Sequence, residues 1–329
     1  MDTTGTFWMP EGSSTIAGDV DALFYFILWA SVFFFLLIVG ISVYFIIKYR
    51  KRADRPNATS QVAYNVKLEV VWTLVPIILV FIVFVWGFNT FMKLQVVPRD
   101  ALEIKVTGRQ WMWVFDYPNG SNSLNELVVP VNQPIKLLMS SDDVIHSFYV
   151  PQFRIKQDVV PNRYTITWFE AKRTGKFDLY CAEFCGKGHS EMLGTVRVVS
   201  SDEYASFLEG GPAGEAPSGQ SLVAQGKQLY SNRQCITCHS VDGSANVGPT
   251  FRNLFGHEVT LSDGSTVTVD ENYLRESILN PQAKVTQGFQ PVMPTFQGLI
   301  NDRQLDALVA YLKSLSEVEQ VESEQVTAE

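Results

Sequence analysis

Cysteine and histidine are scarce: the 329-residue chain has four of each, so where they stand is informative. Charge is missing altogether from two long stretches, residues 22 to 47 and 70 to 92. Each exceeds the roughly 20 apolar residues a helix needs to cross the hydrocarbon core, which argues against a wholly water-soluble chain. No Lys or Arg precedes Lys48. A cleavable signal peptide needs a basic n-region and an apolar run of only about 7–15 residues, so the first stretch reads as a retained membrane helix. Nor is there an excess of base to suit nucleic acid, since the net charge is −8. Part of that charge sits in the tail from 317 to 329, EVEQVESEQVTAE, which reads as disordered. No internal repeat is visible.

What is present divides the chain in order. The connection between the apolar stretches carries Lys48, Arg50, Lys51, Arg52 and Arg55, which places it in the cytoplasm and both termini outside. From Leu102 to Val199, short alternating runs such as LEIKV, PIKLLMS and GTVRVV are broken by Pro-Asn-Gly and Thr-Gly turn signals, the pattern of a β-sandwich or barrel. Residues 209–220, EGGPAGEAPSGQ, read as a flexible linker. Beyond them, SLVAQGKQLYSN and DRQLDALVAYLKSL have helical apolar spacing and bracket a second outer domain.

The cysteines fall into two pairs, Cys181 with Cys185 and Cys235 with Cys238. Disulfides are the plain alternative in an oxidising compartment, but each pair stands among ligand-type residues at ligand spacing. The first cluster runs Cys181-Ala-Glu183-Phe-Cys185-Gly-Lys-Gly-His189-Ser-Glu-Met192, with His146 upstream. Two thiolates, two imidazoles and a thioether form a soft donor set that favours copper, whereas zinc would be content with the cysteines and histidines alone. The second cluster, Cys235-Ile-Thr-Cys238-His239, is the attachment sequence of a c-type haem, with thioether links from both thiols and an axial imidazole. Met293 is the only methionine downstream of His239, hence the one candidate for a thioether sixth ligand. His257 has no neighbouring partner and reads as a loop or packing residue.

Cys-x-Glu-x-Cys-Gly-x-x-His-x-x-Met with an upstream histidine resembles the copper A domain of cytochrome c oxidase subunit II, a likeness extending over residues 20 to 205. The segment from Leu222 onward resembles a class I cytochrome c, as in the fused caa-type oxidases. The resemblance implies a multidomain membrane protein. Its parts are an N-terminal segment and two-helix transmembrane hairpin (1–93), an all-β cupredoxin-like domain (94–208), the linker (209–220), an all-α cytochrome c domain (221–316) and the acidic tail (317–329).

By the same resemblance Cys181 and Cys185 bridge two coppers, His146 and His189 bind one each, and Met192 and the Glu183 carbonyl complete the sites. The Glu183 side chain is expected to reach a magnesium ion at the subunit contact. Trp111, in Arg109-Gln-Trp111-Met112-Trp113, matches the electron-entry tryptophan, although relatives usually have His-Gln-Trp-Tyr-Trp. Both tryptophans are equally natural strand residues. Glu69, in Glu69-Val-Val-Trp72, matches a carboxylate at a proton-path entrance, or is a helix-start residue aided by the dipole.

The activity implied is electron transfer from an external cytochrome or other redox protein, through haem c and copper, to the haem of catalytic subunit I. Oxygen reduction and proton translocation lie in the assembled complex. The expected setting is a bacterial inner membrane, with metal domains on the periplasmic face and lipid and subunit III as further partners. A free-standing tethered electron carrier and a nitric oxide reductase remain rivals.

Overall fold

A computed structural model describes residues 5–53, 64–209 and 221–326, the side chains as far as residue 316. They fall into two units, one of Met1–Val97 with Gln152–Arg154, the other of Pro98–Pro151 with Ile155–Glu329.

In the first unit the charge-free stretches form helices α1 (Ala17–Tyr49) and α2 (Val66–Gln95). Each contains a window of mean hydropathy 2.7 with none of it buried, so both are long and apolar enough to cross a membrane. Both outrun the expected 22–47 and 70–92. Counting uncharged residues stops at Asp21 and Glu69, whereas backbone hydrogen bonding continues into polar ends that water or headgroups can solvate. Asn65 caps α2, its side chain accepting from Leu68 N–H at 3.2 Å, and its own N–H donates to Glu69 Oε1 at 3.3 Å. At the other end Lys93 pairs with Asp19 of α1 at 2.5 Å. Arg154 donates from Nε and Nη2 to the two Asp21 oxygens at 2.6 and 2.9 Å. Arg55 and the rest of 54–63 lie outside the described residues.

In the second unit, alternation of apolar and polar residues yields two five-stranded sheets. The first runs β3 (Asn122–Leu124), β2 (Met112–Asp116), β1 (Leu102–Arg109), β5 (Pro134–Ser141) and β8 (Thr165–Glu170). The second runs β4 (Glu126–Pro130), β10 (Leu193–Val199), β9 (Gly175–Cys181), β6 (His146–Val150) and β7 (Ile155–Val159). β1–β5 and β4–β10 pair in parallel and the rest antiparallel, so the topology is more than a meander. Every second residue of β5 is buried. Ile135, Leu137 and Met139 thereby join Trp113, Phe115, Leu127, Phe148 and Leu179 in the core, each worth roughly 1.5–3 kcal/mol when fully buried.

Helix α3 (Ser201–Glu209) follows, opened by a reciprocal cap in which Glu203 N–H donates to Ser200 Oγ and Ser200 N–H to Glu203. It claims Glu209 from the expected linker, whose remaining residues 210–220 lie outside the described residues. The C-terminal part contains α4 (Leu222–Asn232), α5 (Cys235–Cys238), α6 (Glu271–Leu279) and α7 (Asp302–Val326). A Cβ on Gly226 of α4 would stand 2.0 Å from the Ala307 carbonyl oxygen of α7, so only glycine permits this crossing.

This part is helical as expected, and between its helices Leu261-Ser-Asp-Gly264 turns the chain into a short hairpin of β11 (Glu258–Thr260) and β12 (Thr266–Thr268). One expectation needs correction. The acidic tail is helical to Val326 rather than disordered from 317, since it holds no Gly or Pro to end α7 and is rich in Glu and Gln, good helix formers.

Candidate metal centre and haem site

β6 and β9 lie side by side, with Phe148 opposite Cys181, and this brings His146 at the start of one strand to Cys181 at the end of the other. The β9–β10 connection then folds Cys185, His189 and Met192 back over them. Cys181 Sγ lies 3.8 Å from Cys185 Sγ and 3.9 Å from His146 Nδ1. Cys185 Sγ lies 3.5 Å from His189 Nδ1 and 3.8 Å from Met192 Sδ. The Glu183 carbonyl oxygen is 3.3 Å from Cys181 Sγ, while its side chain is exposed. A sulfur separation of 3.8 Å is far from the roughly 2.05 Å of a disulfide, so the thiols are free to ligate.

Electrostatics favour one thiolate at this cluster. The Cys185 hydrogen bond holds the Cys181 thiol far below its ordinary range, and its charged neighbour in turn pushes Cys185 up. Burial works to lower the His146 pKa, but hydrogen bonds with Asp143 and Cys181 outweigh it and the net direction is up. Asp143 Oδ1 stands 2.8 Å from His146 Nε2, leaving Nδ1 toward the sulfurs. Burial works to raise Asp143, yet His146 and the N–H groups of Gln110 and Val144 hold its carboxyl below the usual range. The seat is tight: a Cβ on Gly108 would come within 2.9 Å of the His146 ring.

Trp111 is 7% exposed and roofs the 185–189 loop. Its Nε1 donates to the Cys185 carbonyl at 3.2 Å, as does Gln110 Nε2 at 2.7 Å. A Cβ on Gly188 would collide with the indole at 2.6 Å. Trp113 is wholly buried, edge-on to His146 and Phe148, and is a core residue.

The second cluster opens onto a cavity lined by Cys235, Cys238, His239, Gly248, Pro249 and Met293, among others. His239 Nδ1 donates to the Pro249 carbonyl at 2.8 Å, which fixes the proton on Nδ1 and leaves the Nε2 lone pair available to a metal. Its ring stacks on Phe251 at 4.3 Å, and burial lowers its pKa, keeping the imidazole neutral. Desolvation pushes the Cys235 and Cys238 thiols up to about 12 and about 11. Neutral imidazole, two thiols on one turn and a thioether on the cavity wall suit a covalently held haem.

Family models agree with this geometry part by part. The transmembrane domain of cytochrome c oxidase subunit II matches residues 2–90, its periplasmic domain 121–199, and cytochrome c 223–316. Cytochrome c oxidase subunit 2 of Alkalihalophilus pseudofirmus is 36% identical over 292 residues, covering 86% of this chain and 83% of the relative. The chain belongs to the cytochrome c oxidase subunit II family. A second relative of this subunit II, from Synechocystis, is 29% identical over 66% of this chain and 78% of its own. The periplasmic domain of subunit II from Bradyrhizobium japonicum is 39% identical over 35% of this chain and 96% of that domain, with a TM-score of 0.34.

As a subunit II it is a membrane protein of an oxidoreductase complex, carries electrons for it, and partners a subunit I. Its subunit II β domain and its cytochrome c domain imply copper A and haem c. Of the sequence-derived site residues, His146, Cys181, Cys185, His189, Met192 and the Glu183 carbonyl converge, and Cys235, Cys238, His239 and Met293 share the other cavity. Glu69 stands apart, exposed at the start of α2. His257 is exposed, with its backbone closing the β11–β12 hairpin. Sequence reasoning missed Asp143, Gln110, Pro249 and Phe251. Only Asp143 left a signal, a carboxylate three residues before a ligand-type histidine.

Proposed function

We propose that this subunit II receives electrons from an external redox protein at a haem c held by Cys235, Cys238, His239 and Met293, and delivers them through a dinuclear copper A centre to the haem of subunit I. Copper and haem, when bound, supply one-electron chemistry with little rearrangement; the polypeptide supplies geometry. Cys181 and Cys185 would hold the metal through their thiolates and His146 and His189 through their imidazoles, with Met192 and the Glu183 carbonyl completing the donor set. Asp143 orients His146, and Trp111 is the entry point above the loop. The Glu183 side chain is exposed and free to meet a magnesium ion at the contact with subunit I. The basic connection lies in the cytoplasm, which sets both metal domains on the outer face, with lipid around α1 and α2 and subunit III nearby. For Glu69, the bond from Asn65 N–H supports the helix-start role over the proton-path role.

The observation that carries this reading is the convergence of soft donors around two facing thiols at 3.8 Å, beside a separate Cys-x-x-Cys-His cavity. Metal analysis of the purified chain should give two coppers and one iron per molecule. Cys185→Ser should erase the mixed-valence copper spectrum, because a hard hydroxyl cannot replace a bridging thiolate, and leave the haem spectrum unchanged. A seven-line copper signal surviving in Cys185→Ser would sink the dinuclear assignment.

A further inference from the structure

The two metal-holding regions of the second unit share one small apolar contact. Met112, Val114 and Leu124, from β2 and β3, are buried together with Phe296 of the cytochrome part, and Met293, Leu299 and Ile300 pack around them. Beside it Asn122 Nδ2 donates to the Gly298 carbonyl at 2.9 Å. On this side the haem cavity is walled by Gln110, Trp111 and Met112, which belong to the copper-holding β region. Among the described residues Lys284 is the one Lys, Arg, Asp or Glu lining the cavity, and nearby Arg109 is already paired with Asp142 at 2.6 Å. Arg233 feels Glu126 across the contact but is buried, where salt screens little, and Glu191 and Lys187 act on Cys238 with opposite signs.

We propose that this contact is a latch, with Met112 and Phe296 as positioning residues that hold the haem cavity against Trp111, so that electron transfer to copper occurs within a standing, salt-insensitive dock. The proposal rests on the assignment of haem and copper above. Phe296 follows Met293 by three residues, so the loop that offers the sixth ligand is also the loop that docks. In the transfer itself one electron leaves ferrous haem iron, which becomes ferric, and reduces the copper pair by one; no bond breaks and no proton moves. Its rate then depends on packing across this contact. Apolar contact is not screened by salt, unlike the charge-steered encounter of two separate proteins.

The test uses the full chain in detergent, haem attached and copper withheld, with hydrogen exchange read at the amides of Phe296 and Leu299, which donate to Ile278 and Phe296 carbonyls. Met112→Lys should raise exchange there about tenfold, corresponding to about 1.4 kcal/mol of docking. Met112→Leu should behave as the parent. With copper restored, transfer from photoreduced haem should slow by a similar factor in Met112→Lys, while the parent rate stays constant as salt is raised. Unchanged exchange at Phe296 and Leu299, or a parent rate that falls with salt, overturns the latch. Should Met112→Lys also expose the β2 and β3 amides, Phe296→Ala puts the same question from the other side: slower transfer with an unaltered copper spectrum supports the latch, and an unaltered rate refutes it. A parent chain that binds no haem or no copper refutes the underlying assignment instead, and metal analysis tells the two failures apart.

Discussion

Cys181 and Cys185 are four residues apart and Cys235 and Cys238 three, yet their surroundings prepare them for opposite chemistry. At the first pair the sulfurs face each other at 3.8 Å among imidazole, thioether and carbonyl donors, and one thiol is held far down in pKa while its partner is pushed up. At the second, desolvation pushes both thiols up, to about 12 and about 11. On the proposed reading, one pair would share charge with metal and the other would stay neutral until it forms a covalent tether. Spacing alone does not separate a ligand from a tether. The neighbours do.

The sharpest way to break this comparison is to exchange the roles. Replacing both Cys235 and Cys238 with Ala should abolish covalent haem while copper content stays at the parent value; loss of copper as well would show that the sites are not independent. Next in size, Met293→Ala should keep the haem attached but lower its potential and open iron to an added ligand, since His/Met ligation raises the potential. A potentiometric titration matching the parent would remove Met293 from the coordination sphere.

The copper side should be sensitive one layer out. Asp143→Ala is expected to weaken copper binding about 10–100-fold, the usual cost of losing a group that orients a ligating histidine. Competition with a copper chelator measures it, and an affinity within experimental error of the parent would reduce Asp143 to a surface carboxylate. Trp111→Ala distinguishes path from packing. As an entry residue it leaves copper occupancy intact and slows copper reduction. As a packing residue its loss costs roughly 3–5 kcal/mol of stability and copper falls with folded protein. Smallest is Gly226→Ala, an overpacking change at the α4–α7 crossing expected to destabilise the cytochrome part by about 1–3 kcal/mol. Thermal unfolding should show this on the haem absorbance alone.

What could be read from the sequence was whatever is local. Uncharged length announced α1 and α2, alternation announced the sheets, and two short motifs fixed both clusters because so few cysteines and histidines compete for them. The Ser200-x-x-Glu203 cap of α3 and the Asp263-Gly264 turn of the hairpin were also local, though they mark elements too short to carry a periodic pattern. Contacts made by distant segments left no such trace. Asp143 gains meaning only once Gln110 N–H and His146 converge on it, and Pro249 only once its carbonyl meets the His239 ring. Phe296 gains its place only from the contact with Met112, made by a distant segment. The departure from the usual tyrosine at Met112 was visible, but its partner across the contact was not.

The roof that Trp111 forms over the 185–189 loop also bears on assembly. His146, Cys181, Cys185 and Met192 are all buried, and His189 alone of the five side-chain donors is half-exposed. Copper reaching the folded chain would meet His189 before the other four donors. Gly188, with no side chain, lets the loop lie against the indole, so those four stay covered. On the proposed ligand set, metal loss would then run through the outward swing of one imidazole, a question of rate separate from affinity.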